Sequence, residues 1–191
     1  MSSAAPSDAR DSGSFGALYA EVAPTLAAWA DLRTRGALRA YLEPADLVQE
    51  VVCRAFQKFP TFDPARGAFR RWIFGVANNI LRETLAAAAR PGAAAVRLEV
   101  SSGDLLDQLP DDVTSVSRRV ARDEGFRAFV AKLKDLDDDE RRLLIHRGLE
   151  GMDHAEVSAV LGISRDAAEK RWQRLLRRLE EMRPPADLFV R

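Results

Sequence analysis

The sequence predicts an all-α protein of two small helical domains joined by an acidic linker. Apolar residues recur at helical spacing along most of the chain, the period-two alternation of half-buried strands is absent, and the pattern breaks down between Pro91 and Val116. At 191 residues and 47% hydrophobic, the chain can bury one ordinary core or two small ones.

Residues 1–14, rich in Ser, Ala, Asp and Gly, read as a disordered tail. The first domain spans 15–90. Phe15, Leu18, Tyr19, Val22, Leu26 and Trp29 form one helical stripe, and Leu47, Val48, Val51, Val52, Ala55, Phe56 and Phe59 a second. Phe69, Ile73, Val76 and Ile80 make a third that runs to about Ala89, after a turn marked by Pro64 and Gly67. Pro91-Gly92 stops it. Residues 91–116 read as linker, with one weak turn around Leu105 to Leu109. The second domain spans 117–183 and leaves a tail at 184–191. Two of its helices start at capping boxes, Asp137 with Glu140 and Asp153 with Glu156, in which a carboxylate and a Glu three residues on satisfy orphan amides. Gly151 stands where the helix between them ends.

Lys plus Arg equals Asp plus Glu at 29 each, so net charge points to no partner, but the charges are segregated. Pro91 to Val116 holds Arg97 against Glu99, Asp104, Asp107, Asp111 and Asp112, whereas Lys170 to Arg178 holds five cations and no anion. The one cysteine, Cys53, lies in an apolar run and reads as a small buried hydrophobe in a reducing compartment. The first residues lack a signal-peptide pattern, and no run approaches the roughly 18 apolar residues of a membrane span, which implies a cytoplasmic protein without membrane insertion.

The stretch from His154 to Leu179 fits a helix-turn-helix: a short helix to Leu161, a turn through Gly162, Ile163 and Ser164, and a longer helix from Arg165. Val157, Leu161 and Ile163 are apolar where the helices share a core, Ser158 and Ala168 are small where they approach, and Ser164 can cap the second helix. An ordinary helical hairpin is the competing reading. The basic run favours DNA, because Lys170, Arg174, Arg177 and Arg178 fall close to one face, opposite Trp172, Leu175, Leu176 and Leu179, and a solvated face usually mixes both signs. Glu169 beside them repels phosphate unless it accepts from a cytosine amino group.

Two further surfaces stay ambiguous from residues alone. The helix over Asp46 to Lys58 presents Asp46, Gln49, Glu50, Arg54, Gln57 and Lys58 outward, which taken alone favours a plain solvated face, with a partner-binding surface as the sharper alternative. In "FRRWIFGVANN", Arg71, Gly75, Asn78 and Arg82 form a polar ridge beside Trp72. That ridge suits unpaired bases through phosphate neutralisation and stacking, or equally a core helix with a polar back.

Together, "DLVQEVVCRAF", "FDPARGAFRRWIFGVANNIL" and "LDDDERRLLIHRGLEGMDHAEVSAVLGIS" resemble regions two and four of bacterial sigma factors of the extracytoplasmic-function type, in the right order, from about Phe15 to Leu179. The resemblance implies a sigma factor that binds core RNA polymerase, recognises promoter DNA and promotes strand opening. It implies polymerase contacts from Asp46, Leu47, Gln49, Glu50, Arg54 and Gln57. It implies capture of the melted minus-ten strand by Arg66, Arg70, Arg71, Trp72, Asn78, Asn79 and Arg82, with a base turned out of the stack. It implies duplex contacts at the minus-thirty-five element from Ser164, Arg165, Glu169, Lys170, Arg171, Arg174, Arg177 and Arg178, and it admits an anti-sigma factor as a partner. The family commonly has a basic residue where Asn78 stands and a basic cluster after it, for which "LAAAAR" substitutes alanines, and commonly Lys or another DNA-compatible residue where Glu169 stands.

The alternative function is a two-domain helix-turn-helix regulator of duplex DNA with no polymerase role. An enzyme is not indicated. The acids of "DLDDDE", Asp135 to Glu140, read as helix caps rather than metal ligands, His146 and His154 without a nearby cysteine make no zinc site, and neither a nucleophile–base pair nor a phosphate loop is present. No cofactor or metal is expected.

Overall fold

The structure is a computed structural model that describes residues 12–89, 109–186 and 188–189. Among the described residues there are eight helices and no strand: α1 (Ser12–Arg33), α2 (Pro44–Lys58), α3 (Phe69–Ala88), α4 (Asp111–Arg122), α5 (Glu124–Lys132), α6 (Asp138–Leu143), α7 (His154–Leu161) and α8 (Arg165–Glu181). No helix among them is long and apolar enough to cross a membrane. The all-α expectation holds, and α7 and α8 occupy the positions read from the helix-turn-helix pattern.

The N-terminal core lies between α1, α2 and α3. Phe15 sits at its centre, fully buried, its ring 5.4 Å from Phe56, 5.2 Å from Phe59 and 5.8 Å from Phe69 in edge-on contacts. Edge-to-face geometry places positive ring edges on negative faces and adds to the area term. Leu26, Trp29, Leu47, Val51, Ile73 and Ile80 complete the core. The turn before α3 is a short 3₁₀ segment, Pro64–Arg66, in which Asp63 accepts from the Ala65 amide at 3.0 Å.

In the C-terminal half both expected capping boxes form, at Asp137–Glu140 and Asp153–Glu156. The helix of α6 widens into a π-helical turn over Leu144–Leu149 and stops at Gly151, whose φ of 75° lies in the left-handed region. There the Glu150 amide donates back to Ile145 and the Met152 amide to His146, both at 2.9 Å.

The boundaries differ from the expectation in three places. Helix α1 begins at Ser12, inside the stretch read as tail; residues 1–11 are outside the described residues. Helix α4 begins at Asp111, inside the stretch read as linker. Asp111 and Asp112 favour a helix start, and Val113, Val116 and Val120 carry a helical stripe beneath the acidic composition. The rest of that linker, with all of its expected turn except Leu109, lies outside the described residues. In the C-terminal tail, Leu188 is buried and its carbonyl accepts from Thr25 of α1 at 3.1 Å, while Phe189 packs against Phe129.

These contacts make α1 common to both halves. Tyr19 and Ser117 of α4 share a hydroxyl hydrogen bond of 2.7 Å. A Cβ at Gly16 would lie 1.9 Å from the Asp112 carboxylate, so a glycine is what lets the start of α4 approach α1 this closely.

Candidate nucleic-acid and polymerase interfaces

The helix-turn-helix is held by a small apolar core. Val157, Ala168, Trp172, Leu175 and Leu179 are buried against Leu143, Leu144 and Leu149. Gly162 turns with φ 67°, in the left-handed region, and Ser164 caps α8 by accepting from the Ala167 amide at 3.2 Å. At Gly148 an added Cβ would stand 2.8 Å from Trp172 and 2.9 Å from Leu144, so this glycine leaves room for the indole.

On the outer side of α8, Arg165, Glu169, Lys170, Arg174 and Arg177 are exposed. Arg171 and Arg178 are not part of that open face. Arg171 pairs with Asp139 at 3.2 Å, and Arg178 with Glu140 at 2.5 Å and with the Asp135 carbonyl at 3.2 Å. At spacings of three and four they flank Arg174 on the same side of α8, but their charges are met by acids of α6. The acids read as caps are thus also counter-ions of α8, a role invisible without the packing of α6 against it. Lys170 is bound within its own helix to Asp166 at 2.9 Å.

On α3 the ridge divides. Trp72 is half-buried among Phe59, Phe62 and Phe69, with ring centroids 5.3 Å from Phe62 and 5.5 Å from Phe69, so one part of the indole serves the core and another meets solvent. Arg66, Asn79 and Arg82 are exposed, the last pairing with Asn79. Arg70 and Asn78 are half-buried and Arg71 is exposed, and each is engaged by the C-terminal half. Arg70 donates to the Leu149 carbonyl at 3.2 Å, and burial lowers its pKa from the usual guanidinium value. Arg71 pairs with Glu156. Asn78 donates to Glu150 at 3.1 Å and accepts from Arg33 at 3.0 Å.

Glu150, which the sequence reading passed over, is the centre of this contact. Its carboxylate is 4% exposed, yet it accepts from the Trp29 indole at 2.8 Å, from Asn78, and faces His146 Nδ1 at 2.8 Å. Burial alone would raise its pKa; the hydrogen bonds and the charge of His146 outweigh burial and hold it below the ordinary glutamate range. Arg33 stacks over Trp29 at 5.6 Å, its pKa lowered by burial, an effect that Glu150 partly offsets.

On α2, Asp46 and Gln49 are half-buried and Gln57 is exposed. Glu50, expected outward, is 1% exposed, and Leu47 is wholly buried. Arg54 explains Glu50: it donates to Glu50 and to Glu83 of α3, both at 2.5 Å, folding one helical turn back over the seam between α2 and α3. Cys53 is buried as expected; burial, and then Glu50, push its thiol up to about 11. Beside α2 runs a cleft of about 700 Å³ lined by Ala45, Val48 and Gln49 on one wall and Val120 and Phe126 on the other.

Comparisons with known proteins show the family of the chain. Residues 18–90 match Sigma-70 region 2 and residues 126–179 match Sigma-70, region 4. The chain is 30% identical over 156 residues to the ECF RNA polymerase sigma factor SigG of Mycobacterium tuberculosis, covering 74% of this chain and 42% of that protein. It is 25% identical over 181 residues to BldN of Streptomyces coelicolor, covering 92% and 62%, and 27% identical over 151 residues to ShbA of Streptomyces griseus, covering 78% and 75%. It therefore spans about two fifths of the length of SigG. No solved structure gives a significant match. With region 2 and region 4 in order on one polypeptide, and relatives each described as an ECF RNA polymerase sigma factor, the chain belongs to the sigma-70 family as an ECF-type sigma factor.

Proposed function

We infer that this chain acts as a sigma factor: it binds core RNA polymerase, directs it to promoter DNA and promotes strand opening, with no chemistry of its own. The observation that carries this reading is the presence of region 2, with its aromatic and cationic ridge on α3, ahead of region 4 with an exposed basic helix. A regulator that only bound duplex DNA would need the second and not the first.

Roles follow from the exposed positions. Arg165, Lys170, Arg174 and Arg177 neutralise phosphates and read the groove of the minus-thirty-five element, with Ser164 and Glu169 at its edge. Arg66, Trp72, Asn79 and Arg82, joined by Arg70, Arg71 and Asn78 once these are released, hold the melted minus-ten strand by charge and stacking. On α2, Asp46, Gln49 and Gln57 face the polymerase, and Arg54 with the buried Glu50 and Leu47 keeps that helix in register. Acting on polymerase and DNA places the protein in the cytoplasm, and an anti-sigma factor is a further partner open to this family.

The test is co-migration of the purified chain with core polymerase on gel filtration. Stable association at micromolar concentration supports the reading, and separate elution at that concentration contradicts it.

A further inference from the structure

The cleft beside α2 is left unused by the surfaces assigned above, Gln49 apart. It holds about 700 Å³, within the range of small-molecule sites. Helices α1 and α2 make one side and α4 and α5 the other. Small side chains, Ala23, Ala27, Ala121 and Ala131, leave it open, while Val48, Val52, Val120 and Phe126 make its walls apolar. Its hydroxyls are already engaged: Tyr19 bonds Ser117 at 2.7 Å, and Thr114 donates to the Asp111 carbonyl at 3.0 Å. A peptide laid here would bury amides without partners, at a cost, whereas a hydrocarbon chain needs none and gains by leaving water.

The charged groups of the cleft favour an anion. Arg118, Arg127 and Lys134 line it and are exposed, against one acid, Asp31, which is paired with Arg35 and Arg39 at 3.7 Å each. Arg118 also borders an adjoining hollow with Arg119 and Arg122. Arg122 follows Arg118 by four positions and Arg119 by three, spacings at which like charges on a helix repel. The dipole of α4 accommodates Arg119 and Arg122 in its last turn. It does not account for Arg118, which lies before that turn and pairs with no acid among the described residues.

We propose that this cleft binds a long-chain fatty acid, with the alkyl chain between the two helix pairs and the carboxylate on Arg118, supported by Arg127 and Lys134. A guanidinium fork can donate two parallel bonds to a carboxylate, which fixes the head group as well as attracting it. Arg127 faces Glu124 at 3.8 Å in an exposed, water-screened pair, so it is free to turn toward the ligand. The site stands apart from the sigma-factor reading, because its test uses neither polymerase nor DNA.

The full-length chain is titrated with cis-parinaric acid, a fatty acid whose fluorescence rises in an apolar site, below its micelle-forming concentration. Oleate and its methyl ester then serve as competitors. Expected are saturation at a single site, displacement by oleate, and binding of oleate about fivefold tighter than of the ester, the scale of one exposed ion pair. Arg118→Ala should abolish that preference and leave the affinity for the ester unchanged. Ala27→Phe, which fills the cleft, should weaken both competitors about tenfold. No saturable binding by the wild type, or unaltered binding by Ala27→Phe, overturns the site. A preference for the acid that survives Arg118→Ala overturns the place given to the carboxylate. If circular dichroism shows that Ala27→Phe has lost its helices, Ala121→Phe, at an exposed position of the opposite wall, is read by the same criteria. Light scattering covers the other occupant: a wild-type dimer that Ala27→Phe dissolves, in a chain that takes up no fatty acid, overturns the proposal in favour of a second copy.

Discussion

The Trp29 indole of α1 donates to the Glu150 carboxylate at 2.8 Å across 121 positions of sequence, and this one bond ties the first helix of region 2 to the wide turn of region 4. Neither residue is exposed. Trp29→Phe leaves a carboxylate that must find another donor while buried. We expect a loss of about 2 kcal/mol, the scale for a hydrogen bond to a charged group. Urea unfolding of wild type and variant measures it, and a double-mutant cycle with Glu150→Gln should return a coupling well above zero.

Acid should open the same contact. The folded pKa of Glu150 lies below its unfolded value, so the ionised carboxylate contributes stability above the ordinary glutamate pKa of about 4.3, and that contribution is lost as pH falls through the folded value. The groups facing it are His146 from its own turn, Arg33 and Trp29 from α1, and Asn78 from α3. Scattering as a function of pH should show expansion beginning below about pH 4, a transition that Glu150→Gln lacks.

Arg174 is exposed on the open face of α8. Arg174→Ala should weaken binding to duplex promoter DNA and flatten the dependence of log affinity on log salt by about 0.9, one phosphate's worth. Arg178→Ala, which breaks the Glu140 pair, should instead lower the stability of region 4 and leave that slope nearly unchanged.

Gly148→Ala should destabilise region 4 by about 1–3 kcal/mol, because the new methyl group meets Trp172 and Leu144 below contact distance and one of them must shift. Chemical denaturation followed by tryptophan fluorescence reports it.

Cys53 should be inert in the folded chain. Burial, and then Glu50, hold its thiol at about 11, so a colourimetric thiol reagent at neutral pH should react only after unfolding, and then with one equivalent. Fast reaction in native buffer would mean that the seam between α2 and α3 opens readily.

Local rules made much of the architecture legible. Both capping boxes, the Ser164 cap, the stop at Gly151 and the bounds of α7 depend on residues within a few positions of one another, and each stands where the spacing put it. What could not be read depends on partners distant in sequence. Glu50 falls on the polar side of α2 by periodicity alone; only the return of Arg54 over the seam buries it. Arg171 and Arg178 look like further cations of a DNA face until α6 brings Asp139 and Glu140 beside them. Glu150 carries no local signature, since its partners are at positions 29, 78 and 146. Helix α4 was hidden for a different reason: its acids suggested linker, although the same acids favour a helix start and its valines kept the period.

Asn78 illustrates the effect on the candidate site. As a strand contact, its loss should slow promoter opening; as a partner of Glu150, its loss should also weaken the contact between α3 and the turn after α6, so one variant reads two effects. Trp72 and Arg82 have no bond to region 4 among the described contacts, and substitutions there report strand capture more cleanly.

Run-off transcription with purified core polymerase, on a template carrying the region upstream of the gene itself, tests the central claim most directly. A discrete transcript that requires this chain is expected, with a reduced yield for Trp72→Ala at unchanged polymerase binding. A chain that binds that duplex yet yields no transcript with a competent core polymerase would contradict it.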